Sequence, residues 1–186
     1  NQYGAIIKNS RSPIEIHDSR FANNYSQNGG NIYNDQSGSP IIITGSTFTN
    51  NDGNYYDGSV IRTDSDLSIT DCVFMLNTGN VLGGYQSNSS ADITILNSII
   101  WNNTIIGNSF NNINVSVSYS CVEGSYSGTG NTNLLPQFCN PFEYPLTLSS
   151  SSPLIGVGWF NENIGGLDTS CDIPTSTFYI SSNGSI

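Results

Sequence analysis

Apolar residues in this chain recur in short alternations broken by polar corners. Ile14 and Ile16 share one face of an extended segment, the pair His17-Asp18 interrupts it, and Ser19 and Phe21 share a face again. Period-2 alternation with one buried side predicts strands, and helical periodicity is absent. The alternation is written four times: Ile16-x-x-Ser19-x-Phe21-x-x-Asn24, Ile43-x-x-Ser46-x-Phe48-x-x-Asn51, Ile69-x-x-Cys72-x-Phe74-x-x-Asn77 and Ile95-x-x-Ser98-x-Ile100-x-x-Asn103. The last Asn returns after 27, 26 and 26 residues, a period that marks a stacked repeat. A second apolar stretch accompanies each copy: Gly4-Ala5-Ile6, Gly30 to Tyr33, Gly58 to Ile61, and the variant Val81-Leu82-Gly83-Gly84.

A coil of about 26 residues with two or three short strands, stacked on a like coil, places parallel strands about 4.8 Å apart. The expected fold is therefore an all-β parallel β-helix, a solenoid in which equivalent residues lie over one another. Phe21, Phe48 and Phe74 should form an internal stack. Asn24, Asn51, Asn77 and Asn103 should form a ladder of side-chain amides. Periodicity stops after Val122, where Ser125 stands three residues on, and Pro136, Pro141, Pro145 and Pro153 then break regular pairing. A loop-rich C-terminal cap is expected there, because an open solenoid end exposes strand edges. The division is residues 1–123 as coils, 124–170 as terminal coil and cap, and 171–186 as a tail strand.

Phe21 to Asn24 followed by Gly29-Gly30-Asn31-Ile32 resembles the repeats of chlamydial polymorphic outer-membrane proteins and the wider set of surface β-helices related to pectate lyases. The resemblance covers roughly residues 4 to 123 and implies a right-handed β-helix. Tyr119 to Gly124, Gly128 to Asn131, Leu135-Pro136-Gln137-Phe138, Asn140-Pro141, Tyr144-x-Leu146 and Ser152-Pro153-Leu154-Ile155-Gly156-x-Gly158 resemble the terminal coil and cap of such proteins, although Leu135 and Asn140 stand where Asp is common. Thr177 to Ile186 is similar to the opening strand of a further β-helix domain. Two readings of that tail stand side by side: a linker into another domain or subunit, and a final strand packed on its own cap.

Composition narrows the partners. Four Lys and Arg against 14 Asp and Glu give a net charge of −10, which disfavours nucleic acid and anionic membranes. No stretch approaches the roughly 20 apolar residues of a membrane helix, so membrane insertion by this segment is not expected. The surface is kept wet by Asn, Ser, Thr and Gly, with 26 Asn in all and only 10% charged residues, which suits an extracellular or cell-surface life. Met75 is the sole Met and no signal peptide is present, so a removed leader or a start inside a larger protein is the expectation.

Candidate chemistry is sparse. Cys72 takes the inward place of Ser19, Ser46 and Ser98 and reads as a buried core residue. Cys139 and Cys171 both fall in the cap and are the expected disulfide, with Cys121 to Cys139 as the rival pair. Asp64, Asp66 and Asp71 read as solvated turn residues, with a weak calcium site as the alternative; no other metal or cofactor is expected. Among Lys8, Arg11, Arg20 and Arg62, Arg20 points outward from a strand, where a polysaccharide lyase would place its base. Five Asn-x-Ser/Thr sequons occur, of which Asn88, Asn102 and Asn114 are glycosylation candidates, whereas Asn24 is a ladder residue. Tyr55-Tyr56, Trp101 and Trp159-Phe160 are aromatics able to stack on sugars, cap packing being the expectation for Trp159 and Phe160.

The expected function is a non-catalytic structural or adhesive extracellular module whose mechanism is geometric: a rod adding head to tail into a surface filament. Gly4, Ala5 and Ile6 at one end and Phe178, Tyr179 and Ile180 at the other are the candidate joining surfaces. Its partners would be copies of itself or surface glycans. The alternative is a β-helix that binds or degrades polysaccharide, as lyase or hydrolase.

Overall fold

A computed structural model describes residues 6–26, 30–34, 39–53, 60–83, 91–103 and 113–172. Three parallel sheets run along a β-solenoid. The first stacks Ile7–Asn9, Ile32–Asn34, Ile61–Thr63 and Leu82–Gly83. The second stacks Ile14–His17, Ile41–Thr44, Leu67–Thr70, Ala91–Leu96 and Ile113–Ser118. The third stacks Arg20–Ala22, Thr47–Thr49, Val73–Met75, Ile99–Trp101 and Cys121–Val122. Five strands in each of two sheets make five coils, and the described residues contain no α-helix.

Register follows the repeat. Ile16, Ile43, Ile69, Ile95 and Val117 pair in line, as do Phe21, Phe48, Phe74, Ile100 and Val122. Phe48 stacks on Phe21 at 4.7 Å and 6° and on Phe74 at 4.7 Å and 2°, so the rings lie one strand spacing apart inside the rod. Phe48 and Phe74 are fully buried, and with the isoleucine rows they form one continuous apolar core.

Two corners per coil bend the chain between sheets, each through one left-handed residue. Asp18, Gly45, Asp71, Asn97 and Tyr119 hold the first corner at φ between 43° and 57°, and Asn23, Asn50, Leu76 and Asn102 hold the second at φ between 53° and 59°. Gly, Asn and Asp adopt this conformation cheaply, while Leu76 and Tyr119 do so at a cost of about 1 kcal/mol or more. Side-chain ladders just after each corner hold the bend. After the second corner come the Asn residues. Asn24, Asn51 and Asn77 each donate Nδ2–H to the Oδ1 of the Asn one coil on, at 2.9 Å, and the backbone N–H of each reaches the same oxygen. In the other direction, the Nδ2 groups of Asn51, Asn77 and Asn103 also donate to the carbonyls of Phe21, Phe48 and Phe74.

A second ladder follows the first corner. The hydroxyls of Ser19, Ser46, Ser98 and Ser120 donate to the carbonyl two residues back, at 2.7 to 2.9 Å. Ser46, Ser98 and Ser120 each also accept a backbone N–H from the preceding coil, from Ser19, Cys72 and Ser98 respectively. Cys72 occupies its rung with Sγ 3.1 Å from the Thr70 carbonyl. The row ends on Asn131, whose Oδ1 accepts the Ser120 N–H.

The cap divides its work differently from the expectation that it closes the solenoid end. Among the described residues Gly124 to Thr132 covers that end: Tyr126 packs on the core, and the carbonyls of Thr129 and Thr132 accept the N–H groups of Tyr119 and Val122. The rest lies along the flank. Outward residues of the third sheet are polar or small in the first two coils, where Arg20, Ala22 and Thr49 stand, and apolar in the last three, where Val73, Met75, Ile99 and Cys121 stand. That apolar half buries a second core with Leu146, Leu148, Leu154 and Ile164 of the cap. Gly165 marks the closest approach: a Cβ there would lie 2.8 Å from Ile99, and its φ is +87°. Asn97 ties the layers together, with Nδ2 donating to Asp71 and to the Asn163 carbonyl and Oδ1 accepting the Trp159 N–H. Strands Leu148–Ser149 and Thr169–Cys171 pair within the cap, and Cys139 and Cys171 form a disulfide with Cα atoms 5.8 Å apart.

Candidate functional site

An open groove of about 670 Å³ lies at the boundary where the cap stops covering the third sheet. One wall is the second-corner row, Asn23, Asn50, Leu76 and Asn102, which repeats once per coil and so spans about 14 Å along the rod. Left-handed backbone aims these side chains outward, and Asn23, Asn50 and Asn102 are exposed. Arg20 and Thr49 add polar groups from the strands. The opposite wall is the cap loop Pro141, Phe142, Glu143 and Tyr144, with Leu146 at its root.

That loop is held at both ends. Cys139 is fixed by the disulfide, Leu146 is buried in the flank core, and the Asn140 side chain accepts the Phe142 N–H at 3.2 Å. Asn140 therefore makes the turn that an Asp at this position would make. Between these anchors Phe142 is 80% and Tyr144 53% exposed. The Arg20 guanidinium lies over the Tyr144 ring, 5.0 Å from its centre, which fixes both groups across the groove. Arg20 thus lines a groove that also contains a carboxylate, Glu143. Arg62 does not: it is 1% exposed, stacked 5.0 Å over Tyr33 in the first sheet, with Lys8 on the same ring at 5.6 Å. Burial removes Arg62 from consideration as an accessible base.

The other candidates separate. Asp64, expected as a solvated turn residue, is buried at 7% exposure, whereas Asp66 is exposed before strand Leu67–Thr70 and Asp71 follows that strand bonded to Asn97. Among the described residues no group of three His, Cys, Asp or Glu gathers as a metal site requires. Cys72 and Cys121 are buried free thiols, and desolvation pushes each up to about 12, so neither is a nucleophile at neutral pH. Asn102 and Asn114 are exposed, the latter bonded to Asp92, and Asn24 is half-buried in the ladder. Asn88, Tyr55-Tyr56, Gly4, Ala5, Phe178, Tyr179 and Ile180 lie outside the described residues, and Ile6 is exposed with its N–H bonded to the Asn31 carbonyl.

Two aromatic readings change. Trp101 is half-buried beneath the cap. Phe160, expected to pack in the cap, is 80% exposed, because consecutive left-handed residues at 160 and 161 turn its ring away from the flank. Trp159 is 39% exposed and meets Tyr119 edge-on at 4.9 Å. Sequence reasoning did not single out Phe142 or Asn97 and read Tyr144 only as part of the cap motif, since nothing in the local pattern links Tyr144 to Arg20 or Asn97 to Trp159 and Asn163, each more than 60 residues away. A search for relatives returns none: no family model, curated protein or solved structure matches this chain, which its geometry alone defines as a β-solenoid of about five turns.

Proposed function

We propose that this chain is a non-catalytic structural and adhesive module of the extracellular space or cell surface, a stiff rod that displays a contact groove and adds head to tail with further copies or domains. The observation that carries the reading is the uninterrupted side-chain registry through successive coils, which makes length and stiffness the product of the sequence. The Cys139–Cys171 disulfide supports a non-reducing setting. The motif likeness to chlamydial polymorphic outer-membrane protein repeats and pectate-lyase-like surface β-helices points the same way.

Arg20 and Glu143 in one groove favour the catalytic alternative, a lyase with Arg20 as base. Against hydrolysis, Glu143 is the one carboxylate among the described residues lining the groove, whereas glycoside hydrolysis ordinarily uses a pair. Electron microscopy of the purified protein, together with an assay for new chain ends on a polysaccharide panel, tests the proposal. Rods that join end to end and release no chain ends are expected. Isolated particles that cleave a polysaccharide, with cleavage lost in Arg20→Ala, would overturn it.

A further inference from the structure

The groove is too well built for an incidental crease. Its volume of about 670 Å³ falls in the range of ligand pockets, about 300 to 1,000 Å³, and it combines apolar surface with a few fixed polar groups as such pockets do. Its long wall sets Asn23, Asn50, Leu76 and Asn102 one coil spacing apart, close to the length of one pyranose residue in an extended chain, with Asn50 Nδ2 donating to Asn23 Oδ1 at 2.6 Å and leaving Asn23 Nδ2 and Asn50 Oδ1 to face a ligand. Its short wall presents two rings, Phe142 and Tyr144, on a loop anchored at both ends. Cap folding does not need those rings in water, since Leu146, Leu148, Leu154 and Ile164 already fill the flank.

We infer that the groove binds a linear uncharged polysaccharide lying along the rod axis, with a sugar ring stacked on Phe142 and its hydroxyls bonded by Asn23, Asn50, Asn102 and Thr49. Aromatic faces receive the apolar C–H face of a sugar, while side-chain amides both donate to and accept from hydroxyls. Charge selects the neutral class. Arg20 and Glu143 offset each other within the groove, and a chain of net −10 repels a polyanion such as a polyuronate. Tyr144 has one face committed to Arg20, which leaves Phe142 as the principal stacking platform. The loop is fixed before the ligand arrives, so little ordering entropy opposes binding.

This inference rests on the adhesive half of the function proposed above and names its ligand class. Affinity electrophoresis through gels containing a β-glucan, a mannan, a xylan or polygalacturonate tests it on the intact protein produced in a non-glycosylating host. Retardation by at least one neutral polysaccharide is expected, weakened about tenfold by Phe142→Ala and unchanged by Phe160→Ala, an equally exposed ring outside the groove. Neither variant removes a buried side chain, and circular dichroism verifies that both are folded. Mobility unaffected by every neutral polymer, retardation by polygalacturonate alone, or retardation insensitive to Phe142→Ala would overturn the inference. Rods seen by microscopy in those cases would leave the structural half of the function standing, which separates the two failures.

Discussion

Replacing Asn77 by Ala removes the middle of the amide ladder and measures what the ladder contributes. The side chain is 1% exposed and makes four bonds at 2.9 Å: Oδ1 accepts the Asn51 N–H and Nδ2–H, and Nδ2 donates to the Phe48 carbonyl and to Asn103 Oδ1. Asn51 Nδ2 keeps its bond to the Phe21 carbonyl, so the largest loss is the buried Asn51 backbone N–H. An unsatisfied buried group costs about 1 to 3 kcal/mol, and the orphaned N–H together with the lost Phe48 and Asn103 partners places Asn77→Ala at about 3 to 5 kcal/mol. That is a large share of the roughly 5 to 15 kcal/mol that holds a domain together. Urea denaturation followed by circular dichroism reads it, with Asn114→Ala, an exposed Asn whose side chain donates to Asp92, as a control expected within about 0.5 kcal/mol of wild type. Asn77→Asp isolates the donor, because its shape is kept while the carboxylate cannot donate to Phe48 and faces Asn103 Oδ1. Its destabilisation should shrink as pH falls and the carboxyl regains a proton. A cost below about 1 kcal/mol for Asn77→Ala would refute the ladder as a source of stability.

Three further outcomes follow from the same geometry. Phe48→Ala should cost about 3 to 5 kcal/mol by denaturation, more than Phe21→Ala at the end of the stack, because Phe48 loses a ring neighbour on both faces. Burial raises the Cys72 thiol from 9.0 to about 12, so the unfolded chain releases this proton near pH 9 while the folded chain keeps it. Stability is then full below pH 9 and falls by about 1.4 kcal/mol per pH unit per thiol between 9 and about 12. Cys72→Ser, which installs the side chain of the neighbouring rungs, should gain on wild type over that range; a pH-independent difference would contradict the burial argument. Reducing Cys139–Cys171 should cost about 3.5 kcal/mol and expose the cap loop to limited proteolysis while the coils resist, and glycan retardation should weaken with it.

The coil was legible because a fixed period forces each residue into the same environment at every turn. Ile16, Phe21 and Asn24 announce their burial through their copies at 43, 48 and 51. The serine ladder carried the same signal in Ser19, Ser46, Ser98 and Ser120, but a small inward residue does not by itself declare a hydrogen-bonding role. The corners were less readable still: Leu76 and Tyr119 are poor left-handed residues, held there by their own backbone bonds to Trp101 and Thr129 and by the ladders beside them. The flank was hidden for a different reason. Val73, Met75 and Ile99 replace polar outward residues, yet which later segment covers them is decided by tertiary packing of Leu146, Leu154 and Ile164. The groove inherits that uncertainty, since it is the place where this cover ends and Arg20 meets Tyr144.

Vertical registry is the claim on which the rod, the groove wall and the ladder all rest. A solution NMR experiment recording through-space contacts and amide exchange addresses it directly. Ring protons of Phe48 should contact those of both Phe21 and Phe74, and the Nδ2 protons of Asn51 and Asn77 should exchange slowly with solvent. Absence of ring contacts from Phe48 to Phe21 and Phe74, with ladder amides exchanging as fast as exposed Asn114, would contradict it.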